Sequence, residues 1–301
     1  MLLGTHPMMM GGGGGMAPVD IVATGSTGLV ATSSNGLSYS KLTTFTSEQL
    51  LTTYSSDSDL FLSTGSSYLY GSTDGISWSN YGSAPVTVVY GIKYFTELGI
   101  YIILGNFGDL YTSSDGINWT SRTSGVGDHL FDVCYSSSVG LLVAVGRGGV
   151  LTTSPDGITW TSRSSGVSSQ LNSVIYHQGS GSYIAFGRSG VIRLSTNGIS
   201  WTAGASGVST NIGKSAQGAG VIVAYIDDGS GNLITSSNGT TWTSRSSGVG
   251  KYFYDITYSN KYGKFFCGGL DETIISSSDG ISWVTSNSGT TNIFRSIVCR
   301  E

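Results

Sequence analysis

The chain has 301 residues, 39% of them hydrophobic but only 11% charged, so it is long enough to bury a large core while carrying few ions. Fourteen basic residues, with no Lys/Arg run and a net charge of −4, give no electrostatic footprint for nucleic acid or an anionic membrane. No stretch approaches the roughly 18 apolar residues of a membrane span, and Cys134, Cys267 and Cys299 are too scattered for a disulfide framework and read as free, buried thiols.

In chain order the first element is an arm, residues 1–18, in which Leu2, Leu3, Met8, Met9 and Met10 precede five glycines at 11–15. Its apolar head on a flexible tether reads as a docking arm for other proteins. It lacks the basic and continuous apolar regions of a secretory signal, whereas the Gly/Ser/Thr-rich, Tyr- and Trp-rich remainder resembles extracellular β proteins. A virion protein, made in a host cytoplasm and released with the particle, reconciles the two.

Residues 19–301 are a repeat. A glycine following Asp or Asn falls at Gly36, Gly75, Gly116, Gly157, Gly198, Gly239 and Gly280, at spacings of 39, 41, 41, 41, 41 and 41. Three residues after each stands Tyr39, Trp78, Trp119, Trp160, Trp201, Trp242 or Trp283, which uses every tryptophan in the chain. A period near 41 without helix formers predicts an all-β fold, a seven-bladed β-propeller with four antiparallel strands per blade. In the unit 130–167 the strands are read as A, "LFDVCYS"; B, "LLVAVG"; C, "VLTTS"; and D, "ITWTSR". The Asp-Gly or Asn-Gly pair then makes a type I′ turn between C and D, with both residues at positive φ. The Trp opens strand D and buries on the order of 200 Å² per blade.

The first repeat starts at strand B, and the tail "TTNIFRSIVCRE" aligns with a strand A. Residues 292–300 are therefore expected to close the ring as the innermost strand of the first blade, leaving no open edge.

The stretch "SSDGISW" (277–283) resembles the Asp-box, or BNR-like, repeat of sialidases and related propellers, S-x-D-x-G-x-x-W. It departs from that pattern in holding Ser34, Thr73, Ser114, Pro155, Thr196, Ser237 and Ser278 at the usual Asp position. Such variants resemble those of bacterial and phage proteins. The resemblance implies a propeller. For sialidase chemistry it implies an arginine cluster, a Tyr/Glu pair and an acidic donor around the central cavity. Arg122, Arg163 and Arg245 belong to the repeat, and Arg147, Arg188, Arg193, Arg295 and Arg300 offer no matching triad. His6, His129 and His177 lack metal-ligand spacing, and Asp227 and Asp228 lack a calcium-type ligand series. The reading is of a protein that is not an enzyme and has no cofactor and no metal site.

Binding information should lie where the repeats differ, on the face opposite the C–D turns. There the B–C turns bring Asn106 and Phe107, Arg147, Arg188, Asp227 with Asp228, and Asp271 with Glu272, a ring basic at blades four and five and acidic at six and seventh. The D–A connections add Asp128 with His129, Gln170, and Lys251 with Tyr252. Phe107, His129, Arg147, Arg188 and Tyr252 are the candidate ligand-binding residues, suited to a sugar or a peptide. The function expected is a non-enzymatic structural or adhesive component of a bacteriophage virion, in a tail, fibre or capsid decoration. It is docked by its arm to other virion proteins and contacts host-surface glycan. A free carbohydrate-binding propeller, a scaffold or assembly factor, and a sialidase-type hydrolase are the alternatives.

Overall fold

A computed structural model describes residues 19–43, 45, 51–65, 68–287 and 292–301; the expected arm, with Met8, Met9 and Met10, lies outside these described residues. Seven four-stranded antiparallel sheets follow one another, each in the order A-B-C-D from the centre outward. Blade four shows the unit: Leu130–Ser136, Leu141–Gly146, Val150–Ser154 and Thr161–Ser164. The inner strands contact one another around the ring, and the apolar core lies between neighbouring sheets. Leu171, Val174 and Tyr183 of blade five, for example, pack against Val143 and Leu151 of blade four.

Ring closure follows the expectation. Phe294–Cys299 pairs antiparallel with Ile21–Gly25, in register from Ile21 opposite Cys299 to Thr24 opposite Ser296. The first blade thus takes its inner strand from the tail, and the backbone N–H of Arg300 donates to the carbonyl of Asp20 at 2.6 Å.

The repeated turn differs from the expected hairpin. Thr112 pairs with Thr120, so seven residues separate the last pair and only Gly116, not Asp115, has positive φ. Asp115 instead uses its side chain: Oδ1 accepts the backbone N–H groups of Ile117 and Asn118 at 2.9 and 2.7 Å. That local acceptor removes the need for a left-handed backbone at Asp115. Burial works to raise the Asp115 carboxyl, but these donors outweigh it and hold it at about 2. The serine two residues earlier, Ser113, accepts the N–H of Gly116 at 2.9 Å, and the same bond recurs in all seven copies. The Trp does not open strand D but precedes it, and in four blades its indole N–H turns back to the glycine carbonyl. Trp78, Trp119, Trp160 and Trp201 make this bond at 3.0–3.2 Å.

The glycine is also the joint between blades. At φ of +70 to +76° in all seven copies, it lies against the preceding sheet. A Cβ on Gly198 would stand 2.8 Å from Leu141 Cδ2, and one on Gly157 2.5 Å from Ile100 Cδ1. Positive φ and contact with the preceding blade both demand glycine there.

Candidate functional site

In six of the seven inner strands one residue bulges out of the A–B pairing near the start of the strand. In blade four Leu130 pairs with Gly146 and Asp132 with Val145, leaving Phe131 over. The bulge recurs in blades three, five, six and seven and in the closing strand. A bulge bends the strand and re-aims its neighbours. Here consecutive residues both face the central channel. One row is Tyr90, Phe131, Asn172, Gly213, Tyr254 and Arg295; the next is Gly91, Asp132, Ser173, Lys214, Asp255 and Ser296, and each row steps by 41 residues. All but Ser173 line two cavities at the mouth and upper wall of the channel, of about 370 and 330 Å³.

Asp132 is the centre of charge. It is 4% exposed; its Oδ1 faces Lys93 Nζ at 2.7 Å and Lys214 Nζ at 3.7 Å and accepts the N–H of Val133. Its Oδ2 accepts the Ser173 hydroxyl and the Val174 N–H, both at 2.9 Å, which ties blade four to blade five. Burial would raise its pKa, but Lys214, Lys93 and the Val174 N–H hold it at about 2. Asp255 repeats the bridge between blade seven and the closing strand, its Oδ2 accepting the Ile297 N–H at 2.9 Å and the Ser296 hydroxyl at 3.1 Å. Burial prevails over the Ile297 N–H, the charge of Lys214 and the Ser296 hydroxyl, and its carboxyl is pushed up.

Lys93 and Lys214 also donate to the carbonyls of Val133 and Phe131. Arg295 stacks its guanidinium 4.3 Å from the Tyr254 ring centroid. It forms no ion pair among the described residues, and its buried Nε has no hydrogen-bond partner. Where Gly213 leaves space, the Tyr225 ring fills it and donates its hydroxyl to the Tyr254 carbonyl at 2.9 Å. The mouth is thus an aromatic collar of Tyr90, Phe131, Tyr225 and Tyr254, with Lys93, Lys214 and Arg295 set around the firmly ionised Asp132 and with Arg188 and Asp227 at its edge.

The five candidates from the variable loops divide into three places. Phe107, His129 and Arg147 meet at one point of the rim. The Phe107 N–H lies 3.1 Å from His129 Nδ1, and Arg147 Nη1 lies 3.2 Å from His129 Nε2. Tyr90 connects them to the channel, its ring centroid 5.3 Å from that of His129. Arg188 lines the mouth with Asp227, whose carboxyl is raised by burial against the pull of Arg188. Tyr252 stands apart, its ring over Gly229.

The acidic character expected of blade seven is absent. Asp271 is ion-paired with Lys251. Glu272 is wholly buried and pairs with Lys41 at 3.0 Å and with the Asn292 amide, because the turn from Leu270 to Glu272 folds it inward beneath the closing strand. Arg122, Arg163 and Arg245 lie against their own blades, each Nε donating to a strand-C threonine: Thr112, Thr153 and Thr235.

Lys93, Asp132, Lys214, Asp255 and Tyr254 were not singled out in the sequence, and Arg295 was set aside. Aligning the inner strands at the 41-residue step would have exposed Asp132, Lys214, Tyr254, Asp255 and Arg295 as ionisable or aromatic residues at two successive positions, with Lys93 two residues beyond them in its own strand.

No protein-family profile matches the sequence, and no curated protein matches it. Among solved structures the chain is similar to YCF48 from Cyanidioschyzon merolae, at 17% identity over 93% of this chain and 97% of that one, TM-score 0.63. It is also similar to a YCF48 bound to a D1 peptide, at 19% identity over 83% and 89%, TM-score 0.61. A third is the computationally designed Ika8 protein, at 10% identity over 92% and 96%, TM-score 0.61. At these identities the likeness is one of fold.

Proposed function

We propose that this protein is a non-enzymatic binding propeller that grips an acidic peptide segment at the mouth of its central channel. The observation that carries the reading is the surplus of cations there. Lys93 and Lys214 share one carboxylate, Asp132, while Arg295 faces the cavity with its charge held on an aromatic ring and no acidic partner among the described residues. A desolvated guanidinium on an aromatic platform favours carboxylate recognition, and the surrounding tyrosines suit the side chains of a peptide. That a propeller of similar fold, a YCF48, is bound to a D1 peptide supports a peptide as ligand.

Asp132 and Asp255, with pKa values displaced in opposite directions in one cavity, have the form of an acid–base pair. Against catalysis, both Asp132 oxygens and Asp255 Oδ2 are already engaged by lysines, hydroxyls or backbone N–H groups that join blades. The setting we propose is a bacteriophage virion, as a structural or adhesive component. It rests on the sparse charge, the Gly/Ser/Thr-rich surface and the resemblance of the repeat to Asp-box variants.

A fluorescein-labelled Glu-rich decapeptide titrated against the protein tests the binding, with a Lys-rich decapeptide as control. Saturable binding that weakens about tenfold in Arg295→Gln supports it. Equal binding of both peptides, or an unaffected Arg295→Gln, refutes it. Deleting residues 1–18 and measuring incorporation into particles tests the setting, which unchanged incorporation rejects.

A further inference from the structure

The rim cluster carries a second site. Phe107 is 72% exposed and sits at φ 50°, ψ 30° in the turn Asn106–Gly108. The same position in other blades holds Thr27, Gly148, Ser189 or Asp271. The turn therefore makes no demand for an aromatic. A bulky side chain in the left-handed region is strained, and strain of this kind gathers where a side chain is needed for contact. The Phe107 ring stands edge-on to His129 at 5.3 Å, and Tyr90 and Phe131 continue the aromatic ledge toward the channel at 5.3 and 5.1 Å between successive centroids.

His129 supplies an independent signal. Its Nδ1 faces the backbone N–H of Phe107, and its Nε2 faces the guanidinium of Arg147. Both neighbours are donors only. A neutral imidazole accepts at one nitrogen and carries a proton on the other, so one of the two contacts sets donor against donor. With Nδ1 accepting from Phe107, the Nε2 proton points at Arg147, and the two lack a shared acceptor. An oxygen seated over both satisfies them together. Asp128 lies beside them, its Oδ1 3.9 Å from Arg147 Nε and accepting the backbone N–H of His129. Its charge balances that of Arg147, and the patch is suited to an uncharged ligand rich in hydroxyls.

We propose that Phe107, His129, Arg147 and Asp128 form a saccharide subsite for a neutral pyranose. The sugar face stacks on Phe107, one hydroxyl oxygen accepts from His129 Nε2 and Arg147, and a neighbouring hydroxyl donates to Asp128. This site stands independently of the peptide reading, since Arg295 and the lysines take no part in it.

The test is saturation-transfer NMR with lactose, cellotetraose and chitotriose at millimolar concentration, with sialyllactose as the acidic comparison. Wild type is expected to bind at least one neutral saccharide more tightly than sialyllactose. Phe107→Gly, which suits the backbone, is expected to fold with an unchanged or raised Tm and to lose that binding at least tenfold. Phe107→Trp is expected to retain it. Arg295→Gln, which reports on the channel, is expected to leave saccharide binding unchanged. Absence of any neutral-saccharide signal with wild type, undiminished binding in Phe107→Gly, or a preference for sialyllactose overturns the proposal.

Discussion

Replacing Asp132 by Asn isolates the charge that organises the channel wall. In the folded protein its carboxyl is held at about 2 against an ordinary 3.8, which by linkage is worth on the order of 2.5 kcal/mol at neutral pH. The substitution also takes the shared carboxylate from Lys93 and Lys214, whose side chains are 41% and 26% exposed, so the roughly 3–5 kcal/mol cost of breaking a fully buried ion pair is an upper bound. Both lysines keep a carbonyl acceptor, so the expected loss is about 2–4 kcal/mol. For a chain of this size that is roughly 5–10 °C in Tm. The assay is thermal melting by circular dichroism at several pH values. Because the folded pKa is depressed, the contribution is complete above pH ~4 and is lost as pH falls toward ~2. The gap between wild type and Asp132→Asn must therefore be full at pH 7 and shrink between pH 4 and 2. Adding Lys93→Met and Lys214→Met to Asp132→Asn is expected to recover most of the loss, since the uncompensated charges go with it. A variant melting within about 1 °C of wild type at pH 7, or a gap that ignores pH, would refute the reasoning.

Removing residues 292–301 strips the first blade of its inner strand; the truncated chain should melt earlier and less cooperatively, and an unchanged melt would contradict the closure. Gly198→Ala is expected to cost roughly 2–4 kcal/mol, from left-handed strain and a clash with blade four. Gly207→Ala, at φ +75° with open space around it, should cost only about 1–2 kcal/mol; equal losses in urea titrations would remove the joint argument. Cys134, Cys267 and Cys299 are buried, with thiols pushed up by burial. Ellman's reagent should modify none of them in native protein within minutes and all three in guanidinium.

The blades were legible because each carries its own punctuation: an Asp-Gly or Asn-Gly pair and an aromatic three residues on, repeated at spacings of 39 or 41 residues. The closing strand was legible for the same reason, as a unit missing at one end and surplus at the other. The turn geometry was misread because Asp-Gly signals two different devices, a two-residue hairpin and a side-chain-capped loop, which sequence does not separate. The channel residues escaped notice because a bulge leaves no composition signature. Without it Phe131 and Asp132 point to opposite faces of a strand, and with it both reach the channel. Glu272 looked like an exposed loop acid. Its partner Lys41 is 231 residues away, and nothing local announces the pairing. Phe107, His129 and Arg147 were legible through the loops, where variation among copies is visible, although their mutual contact depends on three connections of two adjacent blades.

The exchange of strands in the first blade has a mechanical side. A load drawn between Asp20 and Arg300 acts across neighbouring pairs and peels the closing strand one hydrogen bond at a time. A load applied only upstream of Val19 enters instead through Ile21–Gly25, which is held along both edges, by Phe294–Cys299 and by Leu29–Ser33. Had the first blade drawn its inner strand from upstream, the same pull would have fallen on a strand with one bonded neighbour. Tension transmitted through an upstream tether is thus shared at once between two strands of one sheet.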